Sequence, residues 1–231
     1  SAQGMPAFKT DAGNTAEEQA LQAGMHHDGM HFFPLPHGSE NPTRGLLAIN
    51  HEYTDDGLLH PGGMDPWNAA KVRKSQAAHG VSVIEIELRN GAWSVVRPSA
   101  YARRITATTP IRIAGPAAGH AQMRTAADPA GNTVLGTINN CANGYTPWGT
   151  YLTCEENWNG YFANAGVIPP EQRRYGVTAA GAGYRWHEFD ARFDAAANPN
   201  EPNRFGWVVE IDPFDPAAQP VKRTALVRIK H

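Results

Sequence analysis

Cysteine is scarce in this chain: Cys141 and Cys154 are the two among 231 residues. That excludes a cysteine-dense scaffold, although not a single disulfide. Excess charge of either sign is also missing, since twenty Lys and Arg face twenty-two Asp and Glu for a formal net charge of -2. Such a balance offers no basic footprint for nucleic acid or for an anionic membrane surface. No apolar run reaches the roughly eighteen residues of a membrane-spanning helix, so no membrane insertion is expected. The opening residues Ser1-Ala2-Gln3-Gly4-Met5-Pro6 have neither a charged n-region nor an apolar h-region, and no export signal is expected in this sequence. There is no Gly-x-Ser-x-Gly elbow to anchor a Ser-His-Asp hydrolase. Nor does any glycine-rich loop have the strand-to-helix context of a nucleotide site.

Chain-breaking residues, by contrast, are plentiful. With 23 Gly and 18 Pro, the chain is interrupted too often for a bundle of long helices. One short helix is predicted over residues 15–23, N-capped by Thr15 with Glu18 completing a capping box and Gly24 as the stop. The remainder reads as short strands. Residues 45–53 begin as a buried inner strand, and residues 81–88 and 92–96 form a hairpin through Asn90-Gly91. Further strands are expected at 111–114, 133–138, 149–154, 206–212 and 224–229. Short strands in hairpins with little helix indicate an all-β barrel, sandwich or propeller. An internal echo favours the propeller. Leu47-Ala48-Ile49-Asn50-His51-Glu52 and Tyr151-Leu152-Thr153-Cys154-Glu155-Glu156 are both apolar strands ending in ligand-type residues, with Gly206-Trp207-Val208-Val209-Glu210-Ile211-Asp212-Pro213 a looser third copy. Their spacing fits blades of roughly 40–50 residues.

Three segments carry ligand chemistry. Around Thr153-Cys154-Glu155-Glu156-Asn157 a thiol adjoins two carboxylates and an amide. Thiolate suits iron or zinc, and the oxygens suit calcium. If the strand continues, Cys154 and Glu156 share one face and Glu155 takes the other. A Cys141–Cys154 disulfide stands equally open, through a hairpin at residues 143–147. Asn50-His51-Glu52-Tyr53-Thr54-Asp55-Asp56 offers amide, imidazole and carboxylate, alone no more than a polar strand end, but matched by the equivalent end at Glu155 and Glu156. His26-His27-Asp28-Gly29-Met30-His31 with His37 concentrates histidine, but in no recognised zinc spacing. Arg103-Arg104 and Arg173-Arg174 are candidates for anion contact, and read more simply as solvated surface.

Several stretches together resemble the PhoX-type bacterial alkaline phosphatases. They are Gly29-Met30-His31-Phe32-Phe33-Pro34-Leu35, residues 47–54, the long block Asn139-Asn140-Cys141-Ala142-Asn143-Gly144-Tyr145-Thr146-Pro147-Trp148 continuing to Asn157, and residues 206–213. The resemblance runs from about residue 24 onward. It implies a six-bladed β-propeller, export by the twin-arginine route to the periplasm or beyond, and hydrolysis of phosphate monoesters. It also implies an iron–calcium cluster (Fe3+ and Ca2+) in the channel, with Cys154 as the thiolate on iron and one or both of Glu155 and Glu156 on calcium or iron. Glu52, at the matching strand end, joins them as a candidate metal ligand from the residue pattern. Family members are more than twice as long, and a glutamate ligand follows their counterpart of Arg228-Ile229-Lys230-His231. Residues 1–231 are therefore expected to be a single domain, an incomplete N-terminal portion of the propeller with short helices and long loops. Alone it is expected to be inactive, its partners being the remaining C-terminal blades and a phosphate monoester.

The mechanism so implied is metal-assisted displacement at phosphorus, stabilised mainly by charge. General-base catalysis by His51 or His120 has no motif behind it. Two rival readings are a calcium-stabilised binding or surface module without turnover, and a diesterase or phytase on the same fold.

Overall fold

The computed structural model describes residues 5–226 and 228. Most of its regular structure is β, in two sheets. After a short helix α1 (Ala16–Gln19), the first sheet runs through β1 (His27–Pro34) and β2 (Arg44–His51). Helices α2 (Asp56–Leu59) and α3 (Ala69–Ala78) then lead to β3 (Gly80–Arg89), β4 (Ala92–Val95) and β5 (Arg103–Ile105). Strands β1 to β4 form an antiparallel meander in chain order, and β5 pairs with β3. The second sheet contains β6 (Pro110–Ala114), β7 (Thr133–Leu135), β8 (Asn140–Tyr145), β9 (Tyr151–Glu155), β10 (Val208–Ile211) and β11 (Val221–Arg223). Here β8 to β11 make a second antiparallel meander, and the β6–β7 hairpin joins it by parallel pairing of β6 with β11.

Local chemistry accounts for these elements. The Asn90-Gly91 turn takes positive φ at both residues (51 and 79°), as a two-residue hairpin loop that follows strand twist requires. In β9 the buried residues alternate, with Tyr151, Thr153 and Glu155 facing inward. The inner faces meet in one core that includes Phe33, Leu46, Val81, Val83, Ile111, Val209 and Ile211. Residues 156–207 contribute little regular structure to it beyond α4 (Pro170–Arg174) and short 3-10 turns. They do add a buried aromatic cluster of Trp158, Tyr161, Phe162, Trp186, Phe193 and Phe205.

Several expectations are corrected. The Thr15–Glu18 capping box is present, but its helix ends at Gln19 and not at Ala23. Helix α3 was not anticipated: Asn68 caps it by accepting from the Lys71 N–H, and its weak apolar periodicity hides it. The loop expected at residues 143–145 is strand β8, which moves the hairpin turn to residues 146–150. The last strand lies at Val221–Arg223, earlier than expected, and residues 227 and 229–231 of the expected 224–229 strand and the Arg228–His231 segment lie outside the described residues. The third echo, at β10, pairs directly with β9 inside the same meander, so it does not mark a further repeat.

A buried histidine gives this fold an acid limit. His79 is fully buried, its Nδ1–H donating to the Ser75 carbonyl (2.7 Å) and its Nε2 accepting from the Tyr161 hydroxyl (2.8 Å). Burial, opposed by that Ser75 bond, holds its pKa down from 6.5 to about 4. The unfolded chain therefore binds this proton first. Stability is complete above pH 6.5 and is lost as pH falls toward 4, by up to ~3 kcal/mol from this group. Urea unfolding should give a lower midpoint at about pH 4.5 than at pH 7, and His79→Gln should reduce that difference, with buried His51 accounting for part of what remains; an unchanged slope in the variant would refute the assignment.

Candidate metal centre

The two meanders repeat one local design. Each is entered through a non-glycine residue in the left-handed region, His26 (φ 46°) before β1 and Asn139 (φ 50°) before β8. The carbonyl of each accepts from the backbone N–H of an acid just past the second strand: His26 from Glu52 (3.0 Å) and Asn139 from Glu156 (2.8 Å). The Asn139 side-chain oxygen also accepts from the Asn157 N–H (2.8 Å), which helps turn the chain out of β9 after Glu155. Each first strand is irregular directly after its first residue. In β1 the register shifts between His27 and Met30, leaving Asp28 and Gly29 opposite Asn50. In β8 it shifts between Asn140 and Asn143, leaving Cys141 and Ala142 opposite Cys154. Such bulges release a residue from the ladder and re-aim its side chain.

These equivalent positions converge. One ligand atom each from Asp28, Glu52 and Cys141 lies within 4.8 Å of the others. Glu156 adjoins them, hydrogen-bonded to Glu52 and to the Cys141 thiol. Strands β1 and β8 meet closely because Gly29 has no side chain: a Cβ there would sit 2.6 Å from the Cys141 carbonyl and 2.8 Å from the Asn143 Cβ. Asp28 is the exposed member, so the group opens to solvent on its side.

The electrostatics are those of crowded acids. Burial first, then the Asp28 and Glu156 charges, raise the Glu52 carboxyl above its usual range. Burial, followed by the hydrogen bonds to Glu156 and Asp28, pushes the Cys141 thiol well up. Groups that repel one another's ionised forms are stabilised together by a cation. One soft sulfur beside hard carboxylates fits iron or zinc at the thiol and calcium at the oxygens. The residues thus fit a metal group.

The structure brings Glu52 and Glu156 into this group and does not bring in Cys154 or Glu155. Cys154 is half-buried on the β9 face opposite Tyr151 and Thr153, and burial raises its thiol too. Glu155 is fully buried in an ion pair with Lys222 (2.7 Å), and its other oxygen accepts from the Gly206 and Trp207 N–H groups (2.9 and 3.2 Å). Both cysteines are free thiols. Of the histidine-rich segment only Asp28 joins the group: His26 stacks on Tyr53, His31 on Tyr145, and the nearby His37 packs against Phe214. Sequence reasoning singled out neither Asp28, which it named only within the histidine-rich segment, nor Cys141, which it weighed only for a disulfide, as members of this group. The signal that would have found them is the alignment of His27-Asp28-Gly29 with Asn140-Cys141-Ala142 at the starts of the two meanders.

Paired β-meanders thus gather acids and a thiol at one seam, a group with the donor atoms to hold a metal ion. The chain belongs to the alkaline phosphatase PhoX family, whose description it matches over residues 2–231. A solved structure of Pseudomonas fluorescens PhoX, in complex with vanadate as a transition-state analogue, is 54% identical with a TM-score of 0.94. That similarity covers 98% of this chain and 39% of the solved one. No curated protein matches the chain.

Proposed function

We propose that this chain forms part of an enzyme that hydrolyses phosphate monoesters outside the cytoplasm, using an iron–calcium cluster assembled at the seam of the two meanders. The observation that carries the reading is the convergence of Asp28, Glu52 and Cys141, in a chain 54% identical to a PhoX solved in complex with vanadate, a transition-state analogue. In this reading the meanders are blades of a six-bladed propeller. The remaining blades come from sequence beyond these residues, as the 39% coverage of the solved relative suggests. Cations held at the seam supply Lewis-acid stabilisation of the charge on a transferring phosphoryl group. The chain's own part is to hold them: Asp28, Glu52 and Glu156 give hard oxygens, and Cys141 gives the soft donor iron takes. Cys154, the thiolate implied by the sequence resemblance, is the alternative soft donor.

The test uses the complete natural protein with p-nitrophenyl phosphate and its bis-ester. Monoester turnover is expected to exceed diester turnover, to vanish after treatment with a calcium-selective chelator, and to return at least in part on adding calcium. Full turnover after verified calcium removal would overturn the metal role. Absence of both activities would favour a non-catalytic calcium-stabilised module.

A further inference from the structure

At the two bulges that present Asp28 and Cys141, two fully buried side chains donate to backbone carbonyls. Asn50, inside β2, donates from Nδ2 to the Cys141 carbonyl at 2.6 Å. Tyr151, the first residue of β9, donates its hydroxyl to the Gly29 carbonyl (2.9 Å) and to the Asn50 Oδ1 (3.0 Å), one proton shared between two acceptors. The Asn50 amide has one workable orientation, since turning it over would set its oxygen against the Cys141 carbonyl. The chain Gly29–Tyr151–Asn50–Cys141 therefore ties together the residue after Asp28 and the backbone of Cys141 across the inter-sheet seam. An amide in a strand interior is a poor β former, and its burial is unfavourable unless every bond is made. Here the Asn50 amide donates to the Cys141 and Ala142 carbonyls of one bulge (2.6 and 3.4 Å) and accepts from the Tyr151 hydroxyl, which also reaches the Gly29 carbonyl of the other.

We propose that Asn50 and Tyr151 are positioning residues for the metal centre, setting the separation of Asp28 and Cys141 by fixing the two bulges. They touch no reacting atom. The inference rests on the metal-centre reading above and adds to it what holds the ligands in place. Partners that orient metal ligands typically account for about 10–100-fold in affinity.

The experiment is calorimetric titration of calcium into the complete natural protein, first stripped with chelator, for the unaltered protein, Tyr151→Phe and Asn50→Ser. Tyr151→Phe keeps the ring that packs edge-on to Phe33 and removes the hydroxyl alone. Both variants are expected to bind calcium about tenfold or more weakly. The urea midpoint of the metal-free protein should fall much less than that loss of affinity implies. A folded variant with unchanged calcium affinity overturns the clamp, and so does a pair in which neither variant folds, because the residues would then hold the fold and not the site. An unaltered protein that binds no calcium overturns the metal-centre reading itself, and the clamp with it.

Discussion

Replacing Cys141 with serine in the complete protein is expected to strip iron from the centre and to lower monoester turnover by about a hundredfold or more, since loss of a ligand should exceed the 10–100-fold effect of its supporting partners. Serine keeps the size of the side chain but offers a hard, protonated oxygen in place of a soft sulfur, so it cannot anchor iron as thiolate does. Cys141 is the thiol that shares the seam with Asp28 and Glu52 and hydrogen-bonds to Glu156. In the absence of a cation its proton is held firmly, which couples metal uptake to proton release. Cys154→Ser is the comparison that decides between the two thiols. It is expected to keep iron, any thiolate-to-iron absorption, and most of the turnover. The opposite pattern, iron lost from Cys154→Ser and retained in Cys141→Ser, would instead favour the assignment implied by the sequence resemblance.

How far the site was legible in the sequence follows from what forms a local pattern. Glu52 and Glu156 were visible because each ends an apolar strand, and strand ends are written in the periodicity. Their meeting was foreshadowed by the echo between β2 and β9, which occupy the same place in their meanders. Asp28 and Cys141 were hidden because a bulge is a register event: it depends on which residue of a partner strand lies opposite, and no single segment records that. Glu155 and Glu156 show the same limit from the other side. Adjacent acids look interchangeable in sequence, yet Glu155 faces inward from β9 while Asn139 anchors the backbone of Glu156 at the point where the chain leaves the strand. Helix α3 escaped for a third reason, being held by its cap and by the hydrogen bonds of buried Lys74, Ser75 and Gln76, with no continuous apolar stripe to mark it in the sequence.

Glu155→Ala is expected to lower the stability of the protein by about 3–5 kcal/mol, as does breaking a buried ion pair from one side. Lys222 is fully buried, its ammonium 2.7 Å from Glu155, 2.9 Å from the Arg204 carbonyl and over the Phe205 ring. Removing the carboxylate leaves that charge uncompensated and also orphans the Gly206 and Trp207 N–H groups. Burial already depresses the Lys222 pKa from 10.5 to about 8 against the pull of Glu155. In the intact protein the unfolded state thus binds more protons between pH 8 and 10.5, and stability should rise with pH across that window. Without Glu155 the depression deepens, so the deficit of Glu155→Ala should be larger at pH 7 than at about pH 9. A double variant, Glu155→Gln with Lys222→Met, should recover more than half of the loss: the amide oxygen still accepts from the two backbone donors, and neither position leaves an unpaired buried charge. Urea midpoints at both pH values measure each of these differences. If Glu155→Ala falls within about 1 kcal/mol of the unaltered protein, or loses more stability at the higher pH, the pair does not hold the strand end as described, and Glu155 would be free to serve the metal centre instead.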